Sequence, residues 1–499
     1  MGKMSINIFK KNEKFEYSKS LIKEIYLSDH RPWVVGFSGG KDSTALTQII
    51  ISALSELDHS QLHKKIYVIS SDTLVETPLI IQRISNSLAK IQDYALSLNL
   101  PIETHKVRPA VEKTFWASII GKGYPSPRQK FRWCTDRMKI DPANRFILDK
   151  VSRFGEVIMV LGVRDSESAT RAGVMQSHSI EGKTLMKHST LPNAFVFAPI
   201  RQFDINDIWE YLLEEPSLWG DDNNELLKLY QDSSSECPLI VDKDIKESAG
   251  SCGNSRFGCW TCTVVTEDKA LSGFINSGVD WLKPLYEFRK FLVEIRNDRN
   301  ARQKHRMNGQ IYLTTNLEGV DVENTEKVHI DDLGNYIEQN KIDLANVEDL
   351  NILVIDKDRE LKQLGLGPFN LKTREEILRR LLRTQKLVRE LHDPTIELIT
   401  IDELKVIRRF WAEDLDWEDR IPTIYLDETG EEINWDTDDR PIFVEEQLTD
   451  LERLCNEENV SLAVLKRLVN IEREYSGYKI RRGLLNEFEK TLKQDFLHL

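Results

Sequence analysis

The stretch VVGFSGGKDSTAL, residues 34–46, decides the fold. An apolar run breaks on two adjacent glycines, and charges and hydroxyls follow at once. PWVVGFS at 32–38 predicts a buried strand. Leu46, Ile49, Ile50 and Leu54 predict a helix from about 43 to 57. A loop at such a junction offers backbone N–H groups and a helix N-terminus to an anion. Gly39 and Gly40 let the backbone wrap closely around phosphates, and Ser38, Ser43 and Thr44 add hydroxyl donors beside Lys41. Two phosphate motifs are excluded by spacing. Walker A needs four residues between its first Gly and a Gly-Lys-Ser/Thr. Here three residues separate Gly36 from Gly40, and Asp42 follows Lys41. G-x-G-x-x-G does not fit either. Asp42 would repel a phosphate unless it orients the loop or meets Mg2+.

Strands and helices keep alternating beyond the loop. KIYVIS at 65–70, IETHKV at 102–107, VIMVLGV at 157–163 and AFVFAPI at 194–200 read as strands. Helices are expected at 78–98, opened by Pro78, near 141–152, and at 206–213. This alternation implies an α/β fold, a doubly wound parallel sheet with ligands at the carboxyl ends of its strands. Periodicity fades between about 217 and 265, and beyond 280 the apolar spacing turns helical. Residues 312–360 and 411–445 read as polar and irregular. The expected plan is an α/β domain at 1–215, a cysteine-bearing segment at 216–280, and a mainly helical region at 281–499 for partner or DNA contact.

At 499 residues the chain is too long for one core. It lacks an apolar run of about 18 residues and a signal-peptide pattern at its start, so a cytoplasmic protein with no membrane contact is expected. The net charge of −13 argues against a nucleic-acid partner when averaged. Its distribution does not: residues 285–310 carry seven Lys/Arg against three acids, and 372–389 carry seven against two. Residues 411–451 hold fifteen acids against two arginines, an excess equal to the whole net charge.

Four of the six cysteines, Cys237, Cys252, Cys259 and Cys262, fall as C-x14-C-x6-C-x2-C. In a reduced compartment such thiolates suit a tetrahedral ion or an iron–sulfur cluster, and ligand type alone does not separate Zn2+ from [4Fe–4S]. Cys134 follows Arg132 and Trp133, where neighbouring cations would make its thiol more acidic.

SGGKDST at 38–44 resembles the PP-loop of the ATP pyrophosphatase superfamily, whose adenine nucleotide α-hydrolase fold cleaves ATP between its α and β phosphates. SSDTLVETP at 70–78, RWCTDRMKIDP at 132–142 and GVRDSESATRAG at 162–173 resemble its phosphoadenylylsulfate (PAPS) reductase branch. On that resemblance the loop binds ATP and Mg2+, with Asp72 and Thr73 at the ribose or the metal. Arg164 and Arg171 are forked donors for phosphate, and Glu167 orients Arg164 or helps hold the metal. Asp42, Ser43, Cys134 and Arg164 are the expected catalytic residues. Together with the cysteines ending in FGCWTC and the long C-terminal region, the chain resembles the DndC family. That family implies a [4Fe–4S] cluster on Cys237, Cys252, Cys259 and Cys262, with Zn2+ the alternative occupant. It also implies a cysteine desulfurase as sulfur donor, other Dnd modification subunits as partners, and DNA phosphorothioation as the function, with DNA met directly or through partners. The competing readings are a PAPS reductase or ATP sulfurylase-like enzyme, an RNA thiolase, and an ATP-binding scaffold subunit without turnover. The reductase reading is weakened because no cysteine follows Cys455.

Overall fold

The computed structural model describes residues 2–167, 184–188, 190–234, 258–307, 310–317, 320–342, 352–414, 416–435, 445–458, 460–475, 481 and 483–493. The chain forms two compact units, Met1–Ala110 with Gln129–Tyr286, and Val111–Arg128 with Glu287–Leu499. Residues 216–280 thus lie with the sheet-bearing unit.

The first unit runs α1 (Gly2–Leu27), β1 (Trp33–Gly36), α2 (Lys41–Ser55), β2 (Ile66–Ser71), α3 (Pro78–Ser97) and β3 (Ile102–Val107). It continues with α4 (Asp141–Phe154), β4 (Val157–Val160), β5 (Met186–Lys187) and β6 (Ala194–Phe197). It closes with α5 (Ile205–Glu214), α6 (Asn223–Ser234) and α7 (Lys269–Asn276). The sheet order is β3-β2-β1-β4-β6-β5, parallel except for β5 against β6. β1 pairs Trp33 with Ile66 on one side and with Ile158 on the other. A strand covered on both faces must be apolar throughout, which is why WVVG shows no alternation. Val34, Tyr67, Ile69, Val107, Val157 and Ala194 form a core with Ile147 of α4. Each fully buried large aliphatic or aromatic residue there contributes roughly 1.5–3 kcal/mol.

α1 went unread in the sequence; Phe15 packs on the rings of Phe203 and Tyr211, centroids 4.8 and 4.7 Å away, contacts that only the fold makes. Ile22 and Tyr26 are fully buried, and the Tyr26 hydroxyl donates to the Lys64 carbonyl at 2.9 Å. α5 begins with a reciprocal cap, Asp204 accepting from the Asp207 N–H while Asp207 accepts from that of Asp204.

The second unit takes up the chain within α8 (Lys283–Ile295). It holds β7 (Leu313–Thr314), β8 (Glu326–His329), α9 (Leu333–Gln339), β9 (Ile352–Ile355) and β10 (Leu361–Leu364). These strands form a second sheet, ordered β7-β10-β9-β8. The reading of 312–360 as irregular is corrected here. The strands are two to four residues long, too short for a period of two to register. Next come α10 (Leu371–Leu391), α11 (Ile401–Glu413) and α12 (Arg420–Thr429), with further helices at Glu445–Glu457, Leu462–Glu474 and Leu484–Leu492. α12 lies in the second stretch read as irregular. Its Pro422 is at the third position, where a missing N–H costs no helical bond.

Val111–Arg128 is built into the second unit by polar anchors. The Trp116 indole donates to the Leu398 carbonyl at 2.6 Å, and the Trp411 indole to the Ile120 carbonyl at 2.7 Å. Arg374 donates to the Gly121 carbonyl at 2.7 Å. Among the described residues no helix is long and apolar enough to cross a membrane.

Candidate functional site

β1 is where the winding reverses: β2 and β3 lie on one side of it, and β4 and β6 on the other. Such a switch point leaves a crevice at the carboxyl ends of β1 and β4, because the flanking connections leave in opposite directions. The loop after β1 and the loop after β4 meet there. A Cβ on Gly162 would sit 3.0 Å from the Asp42 carbonyl oxygen and 3.3 Å from the Ser43 nitrogen, so only glycine permits this approach. Across the gap the Arg164 Nε donates to Asp42 Oδ1 at 2.6 Å. Lys41 Nζ lies 3.1 Å from Asp42 Oδ2. Both carboxylate oxygens are thereby engaged by cations. Asp42 therefore orients the loop and two cations that face the crevice, leaving a net positive charge there; it offers no preformed carboxylate to Mg2+.

The loop is tied from within. Gly39 has φ +70°, and its Cβ would fall 2.7 Å from Ile84 Cγ1. The Ser43 hydroxyl donates to the Gly40 carbonyl at 3.0 Å and accepts from the Ser38 N–H at 3.1 Å, with the Ser38 hydroxyl also 3.1 Å away. Gly40 caps α2 in extended backbone and, having no side chain, makes no capping bond to the first-turn N–H groups. Tyr230 of α6 was missed by sequence reasoning. Its hydroxyl accepts from the Lys41 N–H at 3.3 Å, and a Cβ on Gly40 would lie 3.1 Å from it. Burial pushes that phenol up. No motif surrounds Tyr230, which only the tertiary fold brings to the loop.

At the end of β2 the chain turns through Leu74, with φ +65°. Asp72 accepts from the Leu74 N–H at 3.1 Å and from Arg108 Nε at 2.8 Å. The Thr73 N–H and hydroxyl both donate to one Glu76 oxygen, at 2.9 and 2.6 Å. Asp72 and Thr73 thus hold the turn itself. The same turn holds the C-x-x-C. Glu76 and Cys259 form a backbone bridge, the Trp260 N–H donates to the Val75 carbonyl at 3.0 Å, and Cys259 Sγ lies 3.5 Å from Thr73 Oγ1. The Cys262 N–H returns to the Cys259 carbonyl at 3.0 Å, closing the two thiols into one turn.

Cys134 joins this group. Burial pushes its thiol up, and the nearby charge of Cys262 adds to the shift, so it moves opposite to the expected direction; neighbouring cations do not outweigh desolvation. Burial, then the charge of Glu76, pushes the Cys259 thiol up to about 12. Glu76 itself is raised by burial although Lys139 lies 4.0 Å away. The Lys139 ammonium is raised, above all by the charge of Cys259. Cys237, Cys252 and Arg171 lie outside the described residues, as does the Glu167 side chain; the Glu167 backbone closes the short turn Asp165–Glu167. Among the described residues no three His, Cys, Asp or Glu already form a metal-holding group.

Residues 32–265 match the family model of the phosphoadenosine phosphosulfate reductase domain. Over that span the chain is similar to a PAPS reductase domain. Its span takes in the strands of the first unit, the crevice loops, Cys134 and the C-x-x-C. An uncharacterized protein of Methanocaldococcus jannaschii is 26% identical over 197 residues, which is 39% of this chain and 34% of that protein. The chain thus spans about a third of that relative's length. Among solved structures, Candida glabrata FMN adenylyltransferase with FAD and pyrophosphate matches at TM-score 0.29 and 16% identity, over 46% of this chain and 62% of that one. The U34-tRNA thiolase NcsA of Methanococcus maripaludis, with its [4Fe-4S] cluster, matches at TM-score 0.28 and 11% identity, over 57% of this chain and 77% of that one. These two are partial likenesses, too weak to speak for the activity of this chain.

Outside the PAPS reductase domain, the basic segments are not bare cationic faces. Arg383 Nε meets Glu428 at 2.6 Å, Arg379 meets Glu375 at 3.1 Å and Glu428 at 3.2 Å, and Arg380 lies 4.0 Å over the Phe291 ring. The acids of α12 thus neutralise part of the cationic stripe of α10. In the other segment Arg289, Arg302 and Lys304 are buried.

Proposed function

We propose that the protein is an ATP-dependent sulfurtransferase of DNA phosphorothioation. The observation that carries this reading is the placement of two chemistries at one sheet edge. The anion loop ends β1, and the thiols of Cys134, Cys259 and Cys262 gather at the end of its neighbour β2. One edge suits nucleotide activation and the other sulfur handling, so an activated group need move only from one strand end to the next.

Oxide is too poor a leaving group to depart from a phosphodiester. Attack of a DNA phosphate oxygen on the α phosphorus of ATP makes that oxygen part of AMP and releases pyrophosphate. Sulfide sulfur then bonds to the DNA phosphorus, and AMP departs with the original oxygen; where a cysteine persulfide attacks instead, a second thiol must cleave the resulting P–S–S–Cys bond, leaving the DNA phosphorothioate and a cysteine disulfide. The Gly39–Gly40 backbone and the open α2 N-terminus bind the β and γ phosphates, and Arg164 and Lys41 offset the charge that builds on pyrophosphate. Ser43 fixes the loop. Lys139 favours the thiolate forms of the cysteines around it. Cys259 and Cys262, with Cys237 and Cys252, would hold a [4Fe–4S] cluster or, in its place, Zn2+; the cluster when bound would supply thiolate-ligated iron for sulfur or electron transfer.

Product analysis on anaerobically purified protein tests the reading. AMP and pyrophosphate, formed faster with DNA than with sulfate or tRNA, are expected. ADP and phosphate would overturn the loop assignment, and stimulation by sulfate or tRNA alone would overturn the DNA assignment.

A further inference from the structure

The second unit contains a cleft of about 130 Å3 that the proposed reaction does not use. Arg128, Arg296, Arg299 and Arg302 line it with Ser126 and Tyr312, and no described carboxylate is among its lining residues. Arginines this close usually share an acid, because a desolvated cation without a counter-charge is costly. For Arg302 and Arg299 the hydrogen-bond partners are neutral. Arg302, 6% exposed, donates from Nε to the Gly367 carbonyl at 2.6 Å and from Nη1 to the Arg296 carbonyl at 2.6 Å. Arg299 donates from Nη1 to the Leu364 carbonyl at 3.0 Å, and its shielded Nε has no hydrogen-bond partner. Carbonyl oxygens satisfy donors but leave the net charge in place.

The protonation energetics agree with that geometry. Burial lowers Arg299. Burial, opposed by Tyr312 and reinforced by Arg128, brings Arg302 down to about 10. A missing anion accounts for both the uncompensated charge and the idle Nε. Packing fixes the cleft beforehand: a Cβ on Gly365 would overlap the Tyr312 ring, and one on Gly367 the His305 carbonyl.

We infer that this cleft binds one phosphate group, either a free phosphate compound or a single phosphodiester of a nucleic-acid backbone. Forked guanidinium groups match the oxygen spacing of phosphate. Arg128, which is exposed, stands at the opening and guides the anion in, while half-buried Arg299 and buried Arg302 supply the charge behind it.

Titration of the full-length protein with inorganic phosphate, by calorimetry, tests this. The expected result is a binding event that Arg128→Glu and Arg299→Gln each weaken at least tenfold. Ser43→Ala, in the loop of the first unit, leaves that event in place, which separates it from any phosphate held there. A labelled 20-bp duplex followed by anisotropy identifies the source. A parallel tenfold loss assigns a phosphodiester, and unchanged DNA affinity beside lost phosphate binding assigns a free compound. Phosphate binding unaltered in both arginine variants, or absent from the wild type, overturns the inference. Arg128 is exposed, so Arg128→Glu decides the question even if Arg299→Gln does not fold. Nucleotide product analysis reads the first unit separately, so failure of either idea does not imply failure of the other.

Discussion

Gly162 does its work through the side chain it lacks. In Gly162→Ala the new Cβ meets backbone atoms of Asp42 and Ser43 at 3.0–3.3 Å, and backbone cannot swing aside as a flexible side chain would. The post-β4 loop must shift, carrying Arg164 away from Asp42. ATP affinity is expected to fall about tenfold, measured by equilibrium binding, with the melting temperature little changed. Arg164→Ala acts differently. Its side chain is 5% exposed, and its loss leaves a largely shielded carboxylate with Lys41 alone. A destabilisation of roughly 3–5 kcal/mol in denaturant unfolding is expected, with pyrophosphate release abolished. Arg164→Lys restores charge but not the fork, so it should recover stability more than rate. Asp42 and Arg164 were legible because each sits in a motif at a strand end. Their pairing was not, since 122 residues separate them. Tyr230 was illegible for the same reason: it reaches the loop only through packing, from 189 residues away.

Whole elements were easier to read than contacts. IETHKV at 102–107 and the helix opened by Pro78 lie where the sequence places them, because β-branched residues after a turn and a first-turn proline are strong local signals. The strands of the second sheet were lost because their burial comes from neighbours distant in the chain. Nor does sequence show that α10 is clamped to α12. Arg383, then Arg379, holds the Glu428 carboxyl below its ordinary range. A depressed carboxylate contributes stability that is present above its unfolded value, near 4.3, and lost as pH falls through the lower folded value. Glu428→Gln is therefore expected to lower the denaturant midpoint of the second unit at pH 7 by the equivalent of about 1 kcal/mol. The wild-type advantage should shrink as pH falls below the unfolded value and vanish once Glu428 is protonated in the folded state as well. A difference that persists there would mean that Glu428 acts through packing.

At the scale of the whole chain, the two-unit division depends on Val111–Arg128 leaving the first unit's sequence and folding with the second. No composition shift marks 111 or 128, so a linear reading of domains could not find this excursion. Its security rests on few atoms. Gly123 adopts φ +72°, its carbonyl accepts from the Phe369 N–H at 2.6 Å, and a Cβ there would lie 2.7 Å from the Phe369 carbonyl oxygen. Gly123→Ala combines left-handed strain with a backbone clash, together roughly 2–4 kcal/mol. That cost falls on contacts internal to the second unit, because Gly121 and Ile120 carry the bonds to Arg374 and Trp411. Hydrogen exchange followed by mass spectrometry should therefore show faster exchange in peptides from α10 and α11. Peptides from β1 and β2, whose amides are held by the parallel ladder of the first unit, should keep wild-type protection. Equal acceleration in both sets would mean that the chain unfolds as one cooperative block, and that the excursion stabilises the sheet as much as the helices.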